Sequence, residues 1–179
     1  MRLATFAPKS DPRTPRLGAL LGGRMLDLHA CERSMGGSKP TIRGAMRELL
    51  ALGNPGLDHV RELLDYAQAH RGKLAPGTLL DLGAVNFLPP IPDAEKFLSV
   101  GKNYRTHLEE LKRTDLIIEH FSRLMPLEPG DMFSTGAPGG VAVGKPNAEA
   151  LFLKPGDVVE CAFEEPAMML RNRIAASRA

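Results

Sequence analysis

The 179-residue sequence is poor in aromatic residues and has no concentrated run of charge. Tryptophan is absent, aromatic residues make up 5% of the chain, and the formal net charge is +2. Lysines and arginines are spread along the whole chain, whereas a nucleic-acid or membrane surface favours a basic patch, with stacking aromatics in the nucleic-acid case. We therefore expect neither nucleic acid nor membrane as a partner.

Cysteine is also scarce, and long apolar runs are missing. Cys31 and Cys161 lie far apart and form no C-x-x-C pair, so a disulfide framework or a zinc site has little support. We expect both to be reduced, buried thiols. No apolar run has the length that spans a bilayer, and prolines and charged residues follow the first six residues, where a signal peptide needs an apolar core. The sequence predicts a cytoplasmic protein.

What is present is the composition of a folded soluble protein, with 43% hydrophobic and 25% charged residues. Strands are predicted at 3–6 and 85–88, and a hairpin is predicted at 17–28, where Gly22 and Gly23 supply the turn. Residues 31–40 are expected to form a loop. A helix is expected to start at the N-cap Thr41 and to end at 53–55, and a second helix is expected to end near Gly72. His59 falls off its apolar stripe and is expected to face solvent.

The second half of the chain starts with P-P-I-P at 89–92, which favours an extended segment and a domain boundary. Two P-G-D turns follow, at 129–131 and 155–157, in which proline presets φ and glycine accepts positive φ. Strands are expected after them, at 132–135 and 158–163, and at 168–171. A helix is expected at 116–125, with Asp115 as its N-cap. This half is therefore predicted to be mostly β.

The stretch 97–110 carries the most informative chemistry. A short β-rich run meets a glycine, and helix formers follow that carry His107 and Glu110 three positions apart. Positions i and i+3 share a helix face, so the carboxylate can fix the tautomer of an imidazole that takes a proton near neutral pH. Polar helices also carry this spacing by chance, so the pair alone does not establish a site.

Three separated blocks resemble the fumarylacetoacetate hydrolase family. The start of the family's active site is similar to G-K-N-Y-x-x-H-x-x-E at 101–110. The family run L-x-P-G-D-x-x-x-T-G-T-P-x-G-V resembles L-E-P-G-D-M-F-S-T-G-A-P-G-G-V at 127–141. The family's carboxyl end resembles L-K-P-G-D-V-V-E at 153–160, closing on L-R-N-R at 170–173. The blocks occur in the family order, which makes the resemblance specific.

The resemblance implies an α+β fold, with a small amino-terminal α/β domain at 1–88 and a mostly β catalytic domain at 89–179. It implies that His107 and Glu110 form the acid–base pair and that Tyr104, Thr135 and Gly136 bind the substrate. It also implies Mg²⁺ or Mn²⁺ as cofactor, and hydrolysis, isomerisation or decarboxylation of small keto acids. A homo-oligomer is expected for a separate reason, because a shortened β domain leaves strand edges unpaired.

One departure from the family lies between the first two blocks. Members carry there a long segment with a Glu-x-Glu pair and a later Asp that hold the cation, whereas residues 111–115 of this chain run directly into the next predicted helix. We therefore expect an internally shortened catalytic domain without metal ligands. Two interpretations stay open: a keto-acid enzyme that keeps its acid–base pair, or a non-catalytic remnant that serves subunit contact or small-molecule binding.

Overall fold

The computed structural model describes residues 1–36, 42, 44, 46–99, 114–136, 141–142, 145–163 and 168–177. The chain divides into two compact units, Met1–Val100 with Arg113–Thr135 and Gly101–Lys112 with Gly136–Ala179. Helices and strands are both present, as an α+β fold requires. The predicted domains 1–88 and 89–179 stay a prediction. Within the described part of the chain, no helix combines the length and apolar character that cross a membrane.

The first unit contains an antiparallel sheet, which has five strands within the described residues. Its strands are β1 (Leu3–Pro8), β2 (Arg16–Leu21), β3 (Arg24–Asp27), β4 (Leu79–Asp81) and β5 (Val85–Phe87). Their spatial order is β4-β3-β2-β1-β5. The predicted hairpin is confirmed, because Gly22 and Gly23 connect β2 to β3 with φ of 57° and 77°. Such positive φ values are what a tight two-residue hairpin turn requires.

Three helices accompany this sheet: α1 (Leu28–Ser34), α2 (Met46–Ala51) and α3 (Gly53–Ala69). Short 3₁₀ turns follow at Arg71–Lys73 and Leu82–Ala84. The loop predicted from residue 31 is wrong over α1, where the Asp27 carboxylate accepts the Ala30 N–H at 2.9 Å and caps a helix directly after β3. Thr41 lies outside the described residues, and α2 starts only at Met46. The predicted break after it is real, since Gly53 has φ +61°.

The main core lies between one sheet face and the helices. Side chains alternate between faces along a strand, so β2 sends Leu17, Ala19 and Leu21 to the same side. The buried residues of this cluster are Leu17, Ala19, Leu21, Leu26, Leu28, Cys31, Ile42, Met46, Leu49, Val60, Leu63 and Ala67. Cys31 is buried as expected, and burial raises its pKa to about 11, helped by the nearby Asp27 and Glu32 carboxylates. Cys161 is exposed, so the expectation of two buried thiols is wrong there.

A smaller cluster of Phe6, Met25 and Val85 covers the other sheet face. Phe6 and Met25 pack directly over Gly18, where a Cβ would lie 2.4 Å from Met25 Sδ and 2.8 Å from Phe6 Cε1. Real Cβ atoms essentially never approach other atoms this closely. The bare backbone of Gly18 is therefore what lets the two side chains close this face.

Substituting Gly18 by alanine is expected to lower the free energy of unfolding by about 1–3 kcal/mol, because the added methyl overpacks this cluster. Chemical denaturation measures the effect. Gly72→Ala is the matched control, since a Cβ there meets nothing within 4 Å. Equal unfolding midpoints for the two variants would show that the cluster can relax around the methyl.

The remaining elements belong to both units. The first unit also contains β6 (Phe97–Ser99), α4 (Thr114–Ser122) and β7 (Met132–Ser134). The second contains α5 (Ala148–Leu151), β8 (Val158–Phe163) and β9 (Met168–Arg173). The strands predicted after both P-G-D turns and at 168–171 are confirmed, and β8 pairs antiparallel with β9. The helix predicted at 116–125 exists, but it begins at Thr114 rather than after a cap at Asp115.

Candidate active site

Two parallel strands place Ser99 and Ser134 side by side. In β6 and β7, Phe97 pairs with Met132, Leu98 with Phe133 and Ser99 with Ser134. Since the strands are parallel, both carboxyl ends lie at the same edge of this small sheet. The chain leaves Ser99 toward the block at 101–110, and it leaves Ser134 directly into Thr135 and Gly136. Ligands commonly bind beyond the carboxyl ends of parallel strands.

The predicted site residues fall partly within the described structure. Thr135 and Gly136 are described and exposed. Gly136 has φ +99°, a conformation that favours glycine and lets the main chain turn away after β7. Tyr104, His107 and Glu110 lie outside the described residues, so their assignment as substrate-binding and acid–base residues stays a prediction.

The two P-G-D turns have the same hydrogen bonds, as their identical sequence predicts. In the first, the Asp131 N–H donates to the Glu128 carbonyl at 3.1 Å, and the Asp131 carboxylate accepts the Glu128 N–H at 2.8 Å. In the second, Asp157 and Lys154 make the equivalent contacts at 3.0 and 2.8 Å. The central glycines have φ of 94° and 101°. Each turn thus ends with an aspartate that fixes the start of the next strand.

The first turn is additionally tied to β6. The Asp131 carboxylate lies 3.0 Å from Lys96 Nζ, and its side chain is 3% exposed. The Met132 N–H donates to the Lys96 carbonyl at 3.0 Å. These contacts join the amino-terminal ends of β6 and β7 and so hold the parallel register that aligns Ser99 with Ser134.

The charge of Asp131 is expected to stabilise the first unit. The Glu128 N–H, and to a lesser extent Lys96, hold the pKa of Asp131 below its usual value against the opposing effect of desolvation. A carboxyl with a depressed folded-state pKa contributes stability above its unfolded pKa of about 3.9, and this contribution is lost as pH falls through the folded pKa. Asp131→Asn should therefore be less stable than wild type at pH 7, with a gap that shrinks below about pH 4.

Urea unfolding at pH 7 and pH 3 measures this gap. Asp157→Asn is the control, because Asp157 has the same turn hydrogen bond, and within the described residues it forms no ion pair. An Asp131→Asn deficit that persists unchanged at pH 3 would contradict an ionic origin.

The described residues do not fit the divalent cation that the resemblance implies. Asp131 Oδ1 is buried without a hydrogen-bond partner in this part of the chain, but no second and third ligand join it. Glu119 is paired with Arg123, and Glu160 with Arg171. Across the described ranges, His, Cys, Asp and Glu side chains form no group of three that could hold a metal ion.

A different histidine is found between two carboxylates. His59 Nε2 lies 2.9 Å from Glu32 on α1, and its Nδ1 lies 3.2 Å from Glu62 one turn along α3. Glu32 is 7% exposed and also accepts the Ile42 N–H at 3.2 Å. Since carboxylates only accept, both histidine contacts are hydrogen bonds when both ring nitrogens carry hydrogen. The two carboxylates bind opposite ring nitrogens, so this group links α1 to α3 rather than forming a metal site.

The expectation that His59 faces solvent is therefore wrong, since its side chain is only 22% exposed. The contact between His59 and Glu62 had a signal in the sequence, because H-x-x-E at 59–62 has the same spacing as the predicted pair at 107–110. The contact between His59 and Glu32 had no such signal, because Glu32 lies 27 residues away and is brought to His59 by the packing of α1 near α3.

Comparison with known proteins places these features in a family. Residues 114–175 match the model of the fumarylacetoacetate (FAA) hydrolase C-terminal domain. The chain is also 42% identical over 57 residues to a fumarylacetoacetate hydrolase domain-containing protein 2 homolog of Dictyostelium discoideum. Residues 114–175 therefore belong to the fumarylacetoacetate hydrolase family. The match includes β7, both P-G-D turns, and β8 with β9, so these elements are family features.

Two further relatives in the fumarylacetoacetate hydrolase family carry more specific names. The chain is 32% identical over 112 residues to the mitochondrial oxaloacetate tautomerase fahd2 of Xenopus laevis, and 31% identical over 98 residues to the oxaloacetate tautomerase YisK of Bacillus subtilis. The alignments cover 62% and 54% of this chain, and 31% for the Dictyostelium relative. They cover 18% of the Dictyostelium relative, 30% of the Xenopus relative and 32% of the Bacillus relative. The chain therefore spans about a third of the length of these relatives or less.

Proposed function

We propose that this chain acts on small keto acids by proton transfer, and that its reaction is the keto–enol interconversion of an oxaloacetate-like 2-oxo acid. The observation that carries the proposal is the parallel register of β6 and β7, which aligns Ser99 with Ser134 at one sheet edge. Along the chain, the predicted acid–base pair follows Ser99, and the predicted carboxylate-binding residues follow Ser134 directly. Two relatives are named as oxaloacetate tautomerases, which supports this reaction over others of the family.

The residues divide the work between binding and proton transfer. Thr135 donates its hydroxyl to a substrate carboxylate, and Gly136 lets the main chain approach it. His107 removes a proton from the carbon beside the keto group and returns one to oxygen, so the substrate changes tautomer and no other bond breaks. Glu110 orients the imidazole, and Tyr104 contacts the bound substrate. The Mg²⁺ or Mn²⁺ of the family finds no fitting ligand group within the described residues, so no step is assigned to it.

The substrate assignment is tested by turnover of a panel. Oxaloacetate and several acylpyruvates are offered to the purified chain with and without Mn²⁺, and the enol absorbance is followed. The proposal predicts faster enol–keto interconversion of oxaloacetate than in buffer, with little cleavage of acylpyruvates. Absence of turnover by folded, soluble protein would overturn it.

We also propose that the catalytic domain is internally shortened. The family model matches from residue 114 onward, and the block at 101–110 precedes that match almost directly. The alternative function, a non-catalytic remnant that serves subunit contact or small-molecule binding, is favoured by one observation. Among the residues of the second unit whose side chains the structure describes, none is buried. A cytosolic location remains our prediction for either function.

We also propose that the chain self-associates, because the side chains described in the second unit are all at least partly exposed. Met169 and Leu170 are 68% and 57% exposed on β9, and a two-stranded sheet is marginal in water on its own. Exposed apolar strands with unpaired edges favour contact with another chain. Sedimentation velocity should therefore show a species larger than the monomer, which Met169→Lys reduces. Leu124→Lys is the control, because Leu124 is equally exposed at 65% but follows α4. A monodisperse wild-type monomer would contradict the proposal.

A further inference from the structure

A cavity of about 320 Å³ lies in the first compact unit. Its wall combines apolar side chains with hydrogen-bond donors, and its volume falls at the lower end of the range for small-molecule sites. The apolar part is formed by Pro15, Leu17 and Ile42, and the donors are the guanidinium groups of Arg16 and Arg33, beside the His29 imidazole.

The charge that the described lining residues offer to a ligand is positive. Asp27 is the one carboxylate among the described lining residues, and it is 2% exposed. One of its oxygens accepts the Ala30 N–H at 2.9 Å, and the other accepts from Arg16 at 2.9 Å. Both oxygens are engaged inside the protein, so Asp27 supplies no acceptor to a ligand.

The two arginines differ in how their charge is compensated. Arg16 is paired with Asp27 and also lies 3.1 Å from Asp11. Arg33 is exposed in the last turn of α1, and its guanidinium forms no ion pair or hydrogen bond with the residues that the structure describes. His29 Nδ1 lies 3.3 Å from the Ile42 carbonyl, which only accepts, so Nε2 remains for another partner. Among the described lining residues, the uncompensated positive charge is therefore that of Arg33.

We propose that this cavity binds a small organic monocarboxylate with an apolar chain. The planar guanidinium of Arg33 matches a carboxylate in a two-point hydrogen bond, and the apolar wall removes the chain from water. Asp11 and Asp27 lie around the neighbouring Arg16 and repel a second negative charge, which disfavours a phosphate dianion. This site uses none of the residues proposed for keto-acid turnover.

Butyrate and its neutral analogue butyramide test the proposal. Each is titrated into isotope-labelled full-length protein, and the amide signals of residues that line the cavity are followed by NMR. Butyrate is expected to bind saturably, and butyramide and inorganic phosphate are expected to bind at least about tenfold more weakly, which corresponds to one lost charge-assisted interaction.

Three variants assign the binding to this cavity. Arg33→Gln is expected to weaken butyrate binding at least about tenfold, and Arg33→Lys is expected to weaken it less, because the charge remains but the two-point geometry is lost. Arg61→Gln removes an exposed charge on α3 and should bind like wild type, as should His107→Ala. Absence of saturable butyrate binding, equal binding of butyramide, or full binding by folded Arg33→Gln would each overturn the proposal.

Discussion

Replacing His107 by alanine is expected to lower the rate of oxaloacetate keto–enol interconversion by about 10²–10⁴-fold, because a positioned general base contributes a factor of this size. The loss should appear in kcat and leave KM nearly unchanged, since Thr135 and Gly136 are proposed to bind the carboxylate without the imidazole. Initial rates at several substrate concentrations separate the two parameters.

Two further variants make this result specific. Glu110→Gln keeps a hydrogen-bond acceptor but removes the charge that stabilises the protonated imidazole, so a smaller loss is expected. His120→Ala is the matched control, because His120 is an exposed histidine of α4 that stacks edge-on against Phe121 and has no role in the proposed reaction. Equal rates for His107→Ala and His120→Ala would remove His107 from the reaction.

Gly130→Ala is expected to destabilise the first unit for two separate reasons. Gly130 has φ +94°, which costs a residue with a side chain about 1–3 kcal/mol. A Cβ would also lie 2.5 Å from Arg47 Cγ. Arg47 cannot easily move away, because its guanidinium is held by Glu95 and Asp93. Overpacking against this fixed side chain adds about 1–3 kcal/mol.

The second P-G-D turn, at 155–157, separates the cost of backbone strain from the cost of overpacking. Gly156 has a similar φ of +101°, but a Cβ there meets nothing within 4 Å. Gly156→Ala therefore carries the backbone strain alone. Denaturant unfolding, followed by NMR signals from each unit, should show the larger loss for Gly130→Ala. Similar losses in both variants would mean that Arg47 yields to the added methyl.

The sequence predicted the features that depend on neighbouring residues. Gly22 and Gly23 predicted the hairpin, and each P-G-D turn predicted the strand after it. These predictions hold because the φ preferences of turn residues determine structure within a few residues along the chain. The helix α1 was missed for a local reason: Asp27 ends β3 and caps the helix at the same time, so no loop signal separates them. The strand β4 was missed because it has three residues and, within the described part of the chain, pairs only with the distant β3.

Contacts between residues far apart in the sequence could not be predicted from the sequence alone. The parallel pairing of β6 with β7 joins residues about 35 positions apart, and the Lys96 to Asp131 ion pair depends on it. The Glu32 to His59 contact likewise depends on how α1 packs near α3. The candidate site was therefore predicted as a set of residues, and the structure adds the pairing of the two strands that precede them in the chain. The metal ligands of the family were expected to be missing from residues 111–119, and the described carboxylates do not replace them.

The most direct test of the proposed proton transfer is hydrogen exchange at the methylene of oxaloacetate. Oxaloacetate is incubated in deuterated water with the folded chain, with His107→Ala, and in buffer alone, and the methylene signal is followed by NMR. The account predicts that the wild-type chain accelerates replacement of these hydrogens by deuterium and that His107→Ala returns the rate close to that of buffer. An exchange rate with the wild-type chain equal to that of buffer would contradict it.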